Sequence, residues 1–171
     1  QGMEGGPVYT QSATIRDTID RDGRCTVSVD LRPDLSVQRL TERLARRRPK
    51  DSLATSLRRT IQLSAVSASL LREATGNRIP TDSTELAALV KTVPLIVEAM
   101  MPIERAISTA GGVRLGEMSD SFMLYRLPGT FLAGEMLDWE APTGGYLLQA
   151  SFSTAVAGAR GALAWIDSQG R

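Results

Sequence analysis

Between Pro128 and Ala150 the order of residues leaves the backbone few choices. Pro128-Gly129 is a turn pair, Thr130 to Ala133 is a short apolar run, and Gly134 stops it, the pattern of a strand buried on both faces. A bend through Pro142 follows, and Thr143 is a favourable helix N-cap ahead of Gly144 and Gly145. The stretch predicts strand, turn and helix, with a binding edge beyond the carboxyl end of the strand, where Gly134 and Glu135 stand. Glycine is a poor helix former, so two of them in a first helical turn imply close approach by a ligand or by another backbone.

The exposed N–H groups and positive dipole end of such a helix favour an anion, or a group that becomes anionic. A flavin ring receiving hydride is one, because negative charge gathers on its pyrimidine edge. The plain alternative is an ordinary strand-turn-helix with a glycine-rich connection, and spacing alone leaves both open.

Three segments in order carry a resemblance. They are Ser-Thr-Ala-Gly-Gly-Val (108–113), Leu-Pro-Gly-Thr-Phe-Leu-Ala-Gly-Glu-Met-Leu-Asp (127–138) and Pro-Thr-Gly-Gly-Tyr (142–146), the last followed by a helix of small residues. Together they resemble the C-terminal part of the bacterial NAD(FAD)-utilising dehydrogenases, FAD-dependent oxidoreductases with aminoacetone-oxidase-like and bile-acid-reductase-like members. The resemblance implies an α+β fold. A helix-rich insert domain with a few strands would occupy residues 1–100, and the C-terminal strand-turn-helix part of a two-dinucleotide-binding-type FAD domain residues 101–171.

It also implies hydride transfer through FAD, with a small-molecule substrate and NAD(P)H as candidate partners. Gly134 and Glu135 would lie along the ribityl or phosphate region of FAD. Backbone groups of Thr143, Gly144, Gly145 and Tyr146 would face the pyrimidine edge, with Gly111 and Gly112 nearby. Leu147 departs from the pattern, since many relatives have asparagine there, so no side-chain amide contact carries over. Asp138, Glu140 and Tyr146 are the available acid–base candidates, and the motif assigns none of them. Relatives open with a Gly-x-Gly-x-x-Gly turn that grips the FAD pyrophosphate, and no such pattern occurs in these 171 residues. With Gln1 in first position, the expectation is a C-terminal piece that by itself holds FAD weakly and tends to self-associate.

Composition sets wider bounds. At 42% hydrophobic and 23% charged, the chain can bury one ordinary core or two small ones. A net charge of +1 argues against a strongly basic nucleic-acid binder. With no histidine and a single cysteine, Cys25, histidine-based triads, the usual zinc ligand sets and an intrachain disulfide are excluded, and no metal site is expected. The lone cysteine and the lack of a signal-type or membrane-spanning apolar run point to the cytoplasm.

In chain order, Gly2 to Pro7 reads as a turn and Val8 to Ile19 as a helix. Cys25, Val27, Val29 and Leu31 alternate with polar residues as a half-buried strand. Ser36 caps a helix bearing Val37, Leu40 and Leu44 that Pro49 stops, and a second helix includes Leu53, Leu57 and Ile61. Another, from Ser64 to Glu73, ends near Gly76-Asn77. Asp82 with Glu85 has the form of a capping box before Leu86, Leu89, Val90 and Val93, and Pro94 closes that helix. Leu95 to Ala99, Ile107 to Thr109 and Met123 to Leu127 read as strands, and Pro102 to Ala106 as a helical turn. The last helix sets Leu148, Phe152, Val156, Ala159, Leu163 and Ile166 near one face, with Gly158 and Gly161 permitting close packing.

A second function class rests on Arg39, Arg43, Arg46, Arg47, Arg48, Lys50, Arg58 and Arg59. This cluster suits a helical interaction module for an acidic partner or nucleic acid. The window lacks an aromatic for base stacking, and Glu42 and Asp51 interrupt it, which favours a solvated helix face.

Overall fold

The computed structural model describes residues 2–48, 50–141 and 144–170. Two compact units form: Ile15 to Ala99, and the residues up to Thr14 together with those from Met100 onward. Helix α1 (Gly6–Asp22) runs from one into the other. The return of the first residues to the C-terminal unit differs from a single cut near residue 100. Among the described residues there are six α-helices and one two-stranded sheet, an α+β chain rich in helix.

The unit from Ile15 to Ala99 holds the larger core. Strand β1 (Cys25–Val29) pairs antiparallel with β2 (Val93–Val97), placing Cys25 opposite Val97 and Val29 opposite Val93. Its first and last extended segments therefore lie side by side, and the chain leaves the unit where it entered. Pro94 corrects the sequence reading. It does not close the preceding helix but lies inside β2 opposite Ser28. Both strands of a two-stranded sheet are edges, where a missing N–H is tolerated.

Between the strands lie α2 (Val37–Ala45), α3 (Leu53–Ile61), α4 (Ala65–Ala74) and α5 (Ser83–Lys91). Each begins at a side-chain cap. Ser36 Oγ accepts from Arg39 N at 3.3 Å, Ser52 Oγ from Thr55 N at 3.2 Å, Ser64 Oγ from Ser67 N at 3.0 Å, and Asp82 Oδ1 from Thr84 N and Glu85 N at 2.8 and 2.9 Å. Pro49, the expected stop after α2, lies outside the described residues. Leu40, Leu44, Leu57, Ile61, Leu71, Leu86, Val90 and Val93 are fully buried, each worth about 1.5–3 kcal/mol of transfer from water. At the end of α5, Lys91 Nζ reaches Asp30 at 2.5 Å and donates to the carbonyls of Arg32 and Leu35, tying the end of the helix to the segment after β1.

The backbone N–H groups of Glu85 and then Thr84 hold the Asp82 carboxyl below its ordinary 3.8, and the Arg32 fork holds Asp34 down to about 2. Carboxylates depressed on folding add stability above the unfolded pKa and lose it as pH falls through the folded value. Asp82→Ala should therefore lower the melting temperature at neutral pH, with Asp82→Asn retaining most of the cap. The gap between wild type and Asp82→Ala should narrow as pH falls below 3.8, toward the smaller gap between Asp82→Asn and Asp82→Ala. A gap that persists unchanged into strong acid would mean the carboxylate is not the capping group.

The other unit is organised around α6 (Tyr146–Gln169), 24 residues long. No described helix is long and apolar enough to cross a membrane. Against α6 packs an irregular segment with a small core of Met118, Leu132 and Leu137. The strands expected at Ile107–Thr109, Met123–Leu127 and Thr130–Ala133 are not formed. Isolated bridges replace them: Met118 with Leu124, Met123 with Phe131, and Val113 parallel to Leu137. The chain reverses at Pro128-Gly129, where Thr130 N donates to Leu127 O at 3.1 Å and Gly129 has φ 86. That is the Pro-Gly preference of a type II turn. Expectations about the last helix also change. Leu148, Phe152, Val156, Leu163 and Ile166 are 52–64% exposed, and the packed face is instead made of Ser151, Thr154, Gly158, Gly161 and Trp165.

Candidate functional site

Gly134 opens a short 3-10 turn, Gly134–Met136, with φ 68. Its N–H donates to Thr154 Oγ1 at 3.0 Å, and its carbonyl accepts from Leu137 N at 3.1 Å. A Cβ added there would stand 3.2 Å from Ser151 Oγ. The close approach that glycine allows at 134 is thus made by α6 of the same chain. Thr154 Oγ1 in turn donates to Ala150 O at 2.7 Å, fixing its acceptor toward Gly134. Glu135 is exposed.

Gly112 is held just as firmly. Its φ is 153, and a Cβ would lie 2.7 Å from the Leu137 carbonyl carbon and the Met136 oxygen. Val113 N donates to Met136 O and Asp138 N to Val113 O, both at 2.9 Å. Two of the three sequence motifs are therefore joined backbone to backbone. Gly111, at φ 92, differs from its neighbour, because nothing lies within 4 Å of its would-be Cβ.

The third motif heads α6. Thr143, expected as N-cap, lies outside the described residues. Gly145 is the N-cap, with φ 80 and ψ 5, and it makes no side-chain capping bond. Gly144 precedes it at φ 109 beside the Tyr146 ring, which is mostly exposed. The glycines stand before the helix rather than in its first turn, and the space beside Gly145 is open. The first N–H groups of a helix have no intrahelical acceptor. Here no described side chain covers them, so the dipole end presents donors to whatever approaches. Ser151, where Gly134 is seated, is about 7.5 Å along the helix axis from Tyr146 at 1.5 Å per residue. The turn at Gly134 and the helix head thus lie within reach of one extended ligand.

Sequence reading did not single out Ser151 and Thr154, the hydroxyls that seat Gly134. Their signal was the series 151, 154, 158 and 161 of small residues at helical spacing. Asp138, Glu140 and Tyr146 do not converge with one another on any described contact that would mark an acid–base pair. Two clefts lie elsewhere, lined by residues between Arg43 and Ser83.

A family model, the HI0933-like protein Rossmann domain, matches residues 10–161. The chain belongs to this family. HI0933-like proteins are FAD-binding, oxidoreductase-like flavoproteins, which gives the glycine-lined head of α6 a chemical context. The match takes in all three glycine motifs, as well as the helical unit.

Proposed function

We propose that this HI0933-like chain supplies the flavin-facing part of an FAD-dependent oxidoreductase, related to the NAD(FAD)-utilising dehydrogenases. The reaction passes hydride through FAD between a small-molecule substrate and a carrier such as NAD(P)H. One observation carries the reading: the head of a 24-residue helix opens on two left-handed glycines and has no side-chain cap among the described residues, with open space beside Gly145. The residues fit the ring edge of FAD. When bound, FAD supplies hydride acceptance and release. The N–H groups at Tyr146 and beyond would stabilise negative charge on the pyrimidine edge, and Gly144, Gly145 and Gly111 would leave room for the flat ring. Gly134 and Gly112, filled by the chain's own atoms, instead hold the turn that carries Glu135 toward the rest of the cofactor. No Gly-x-Gly-x-x-Gly turn occurs in these residues, so a pyrophosphate grip is not among them. The adjacent β1 and β2 support residues 15–99 as the helix-rich insert, since an inserted unit needs its two ends together.

The test is flavin content in the natural protein carrying Gly145→Ala, Gly145→Asn or Gly145→Val. Because Gly145 is left-handed, Ala and Val both add strain, about 1–2 kcal/mol, which by itself would lower stability. Asparagine tolerates that backbone and still fills the space. The expected outcome is loss of flavin in both Gly145→Asn and Gly145→Val, with near-normal melting of apo Gly145→Asn. Full flavin occupancy and an unchanged reduction potential in Gly145→Asn would defeat the assignment.

A further inference from the structure

In the helical unit, two clefts share a wall made by Arg48 and Asp51. The first, of about 420 Å³, has an apolar floor of Leu44, Leu53, Ile79 and Pro80. The second, of about 380 Å³, is framed by Arg43, Arg46, Arg48 and Arg59. Both are of the size that small molecules occupy.

Ser56 lines the first cleft from α3 and is only 3% exposed, and its Oγ has no hydrogen-bond partner among the described residues. Serine inside a helix can satisfy itself on the carbonyl four residues back, as Thr60 does on Ser56 O at 2.8 Å. The Ser56 hydroxyl does not. A buried hydroxyl left unpaired costs stability, so its position facing a cleft points to a ligand atom that completes it.

Charge in the second cleft is equally one-sided. Among the described lining residues the one carboxylate, Asp51, already accepts from Arg59 Nη1 at 2.9 Å. Arg47, on the wall of the first cleft, donates to the Thr81 carbonyl. Among the described residues Arg43, Arg46 and Arg48 form no ion pair with a carboxylate. Three guanidinium groups beside an apolar floor match a compact dianion attached to an apolar body.

We propose that the adjoining clefts bind one small phosphorylated molecule. Its phosphate lies among Arg43, Arg46 and Arg48, its apolar body rests on Leu53, Ile79 and Pro80, and Ser56 Oγ bonds a polar atom near the junction. The site is independent of the flavin reading, because it uses none of the glycine motifs.

The experiment titrates the whole chain with phenyl phosphate and with inorganic phosphate, following arginine Nε–H resonances and calorimetric heats. Phenyl phosphate, filling both clefts, should bind at least about tenfold more tightly than inorganic phosphate. Arg48→Gln should weaken phenyl phosphate binding by about tenfold or more. Ser56→Ala separates binding from folding. It removes a hydroxyl with no partner among the described residues, so melting should hold or rise, while phenyl phosphate binding weakens about fivefold. Equal affinity for the two probes, or unchanged phenyl phosphate binding by a well-folded Ser56→Ala, would overturn the proposal. So would a single-stranded oligonucleotide that binds these arginines in a salt-dependent way without being displaced by phenyl phosphate, since that would assign the surface to nucleic acid.

Discussion

Gly161→Ala should destabilise the chain, by roughly 1–3 kcal/mol, although the same change in a helix interior normally stabilises by about 0.5–1 kcal/mol. The reversal comes from position. A Cβ at 161 would stand 2.6 Å from Ser121 Cβ, 2.7 Å from the Ser121 carbonyl oxygen and 3.2 Å from the Phe131 ring. One of those neighbours is backbone, and Ser121 is further held by its hydroxyl, 2.9 Å from Ser119 Oγ, so α6 must lift from the segment it packs on. Gly158 supplies the control on the same helix. Its would-be Cβ meets Leu132 O at 3.5 Å and Phe122 Cβ at 3.9 Å, which is ordinary contact. Gly158→Ala should be neutral or stabilising by up to about 1 kcal/mol. Denaturant titrations of the two variants should thus move in opposite directions, and a shift of the same sign in both would refute the packing described for α6.

That contrast also explains which parts of the fold were legible in the sequence. Helices in the unit from Ile15 to Ala99 announce themselves through Ser36 and Asp82 caps and through leucines at helical spacing, because there the core is filled by large side chains. The left-handed residues at Gly76 and Asn77 end α4 as their chemistry suggests. The end of α3 at Gln62, φ 53, carries no such signal, since glutamine is an uncommon left-handed residue. The C-terminal unit was harder to read. A period-based reading looks for large apolar residues to define the buried face, whereas α6 buries its smallest ones so that the backbone of 121–134 can come close. The runs at 123–127 and 130–133 have strand composition, but after the Pro128-Gly129 reversal they meet at a single bridge, Met123 with Phe131. The site shows the same limit. Glycine spacing drew attention to Gly112, Gly134 and Gly145; an added Cβ is crowded at the first two, whereas at Gly145 only the left-handed backbone disfavours one. Spacing could not tell glycines seated on their own chain from one that opens to solvent, because that difference depends on residues distant in sequence, such as Ser151 and Leu137.

Purified at rising concentration, the chain should self-associate through the outer face of α6. Leu148, Phe152, Val156, Leu163 and Ile166 fall within about a quarter turn of one another at 100° per residue, on the side away from Ser151, Thr154, Gly158 and Gly161. All five are more than half exposed, and the helix carries only two charged residues, Arg160 and Asp167, to interrupt that face. An unbroken apolar stripe of this length is large for a surface left in water, and burying it against a second copy recovers hydrophobic free energy without altering the internal packing. Phe152→Glu combined with Leu163→Glu should weaken association by at least about a hundredfold, as expected when two central anchors are replaced by like charges. Melting at low concentration should be little changed, because both side chains point away from the packed face and glutamate is a good helix former. Sedimentation velocity across a wide concentration range reads the first effect and circular dichroism the second. A wild-type chain that stays monomeric throughout would show the stripe to be inert in this form. A double variant that loses its helix instead would show that the stripe supports α6 itself, contrary to the exposure of those side chains.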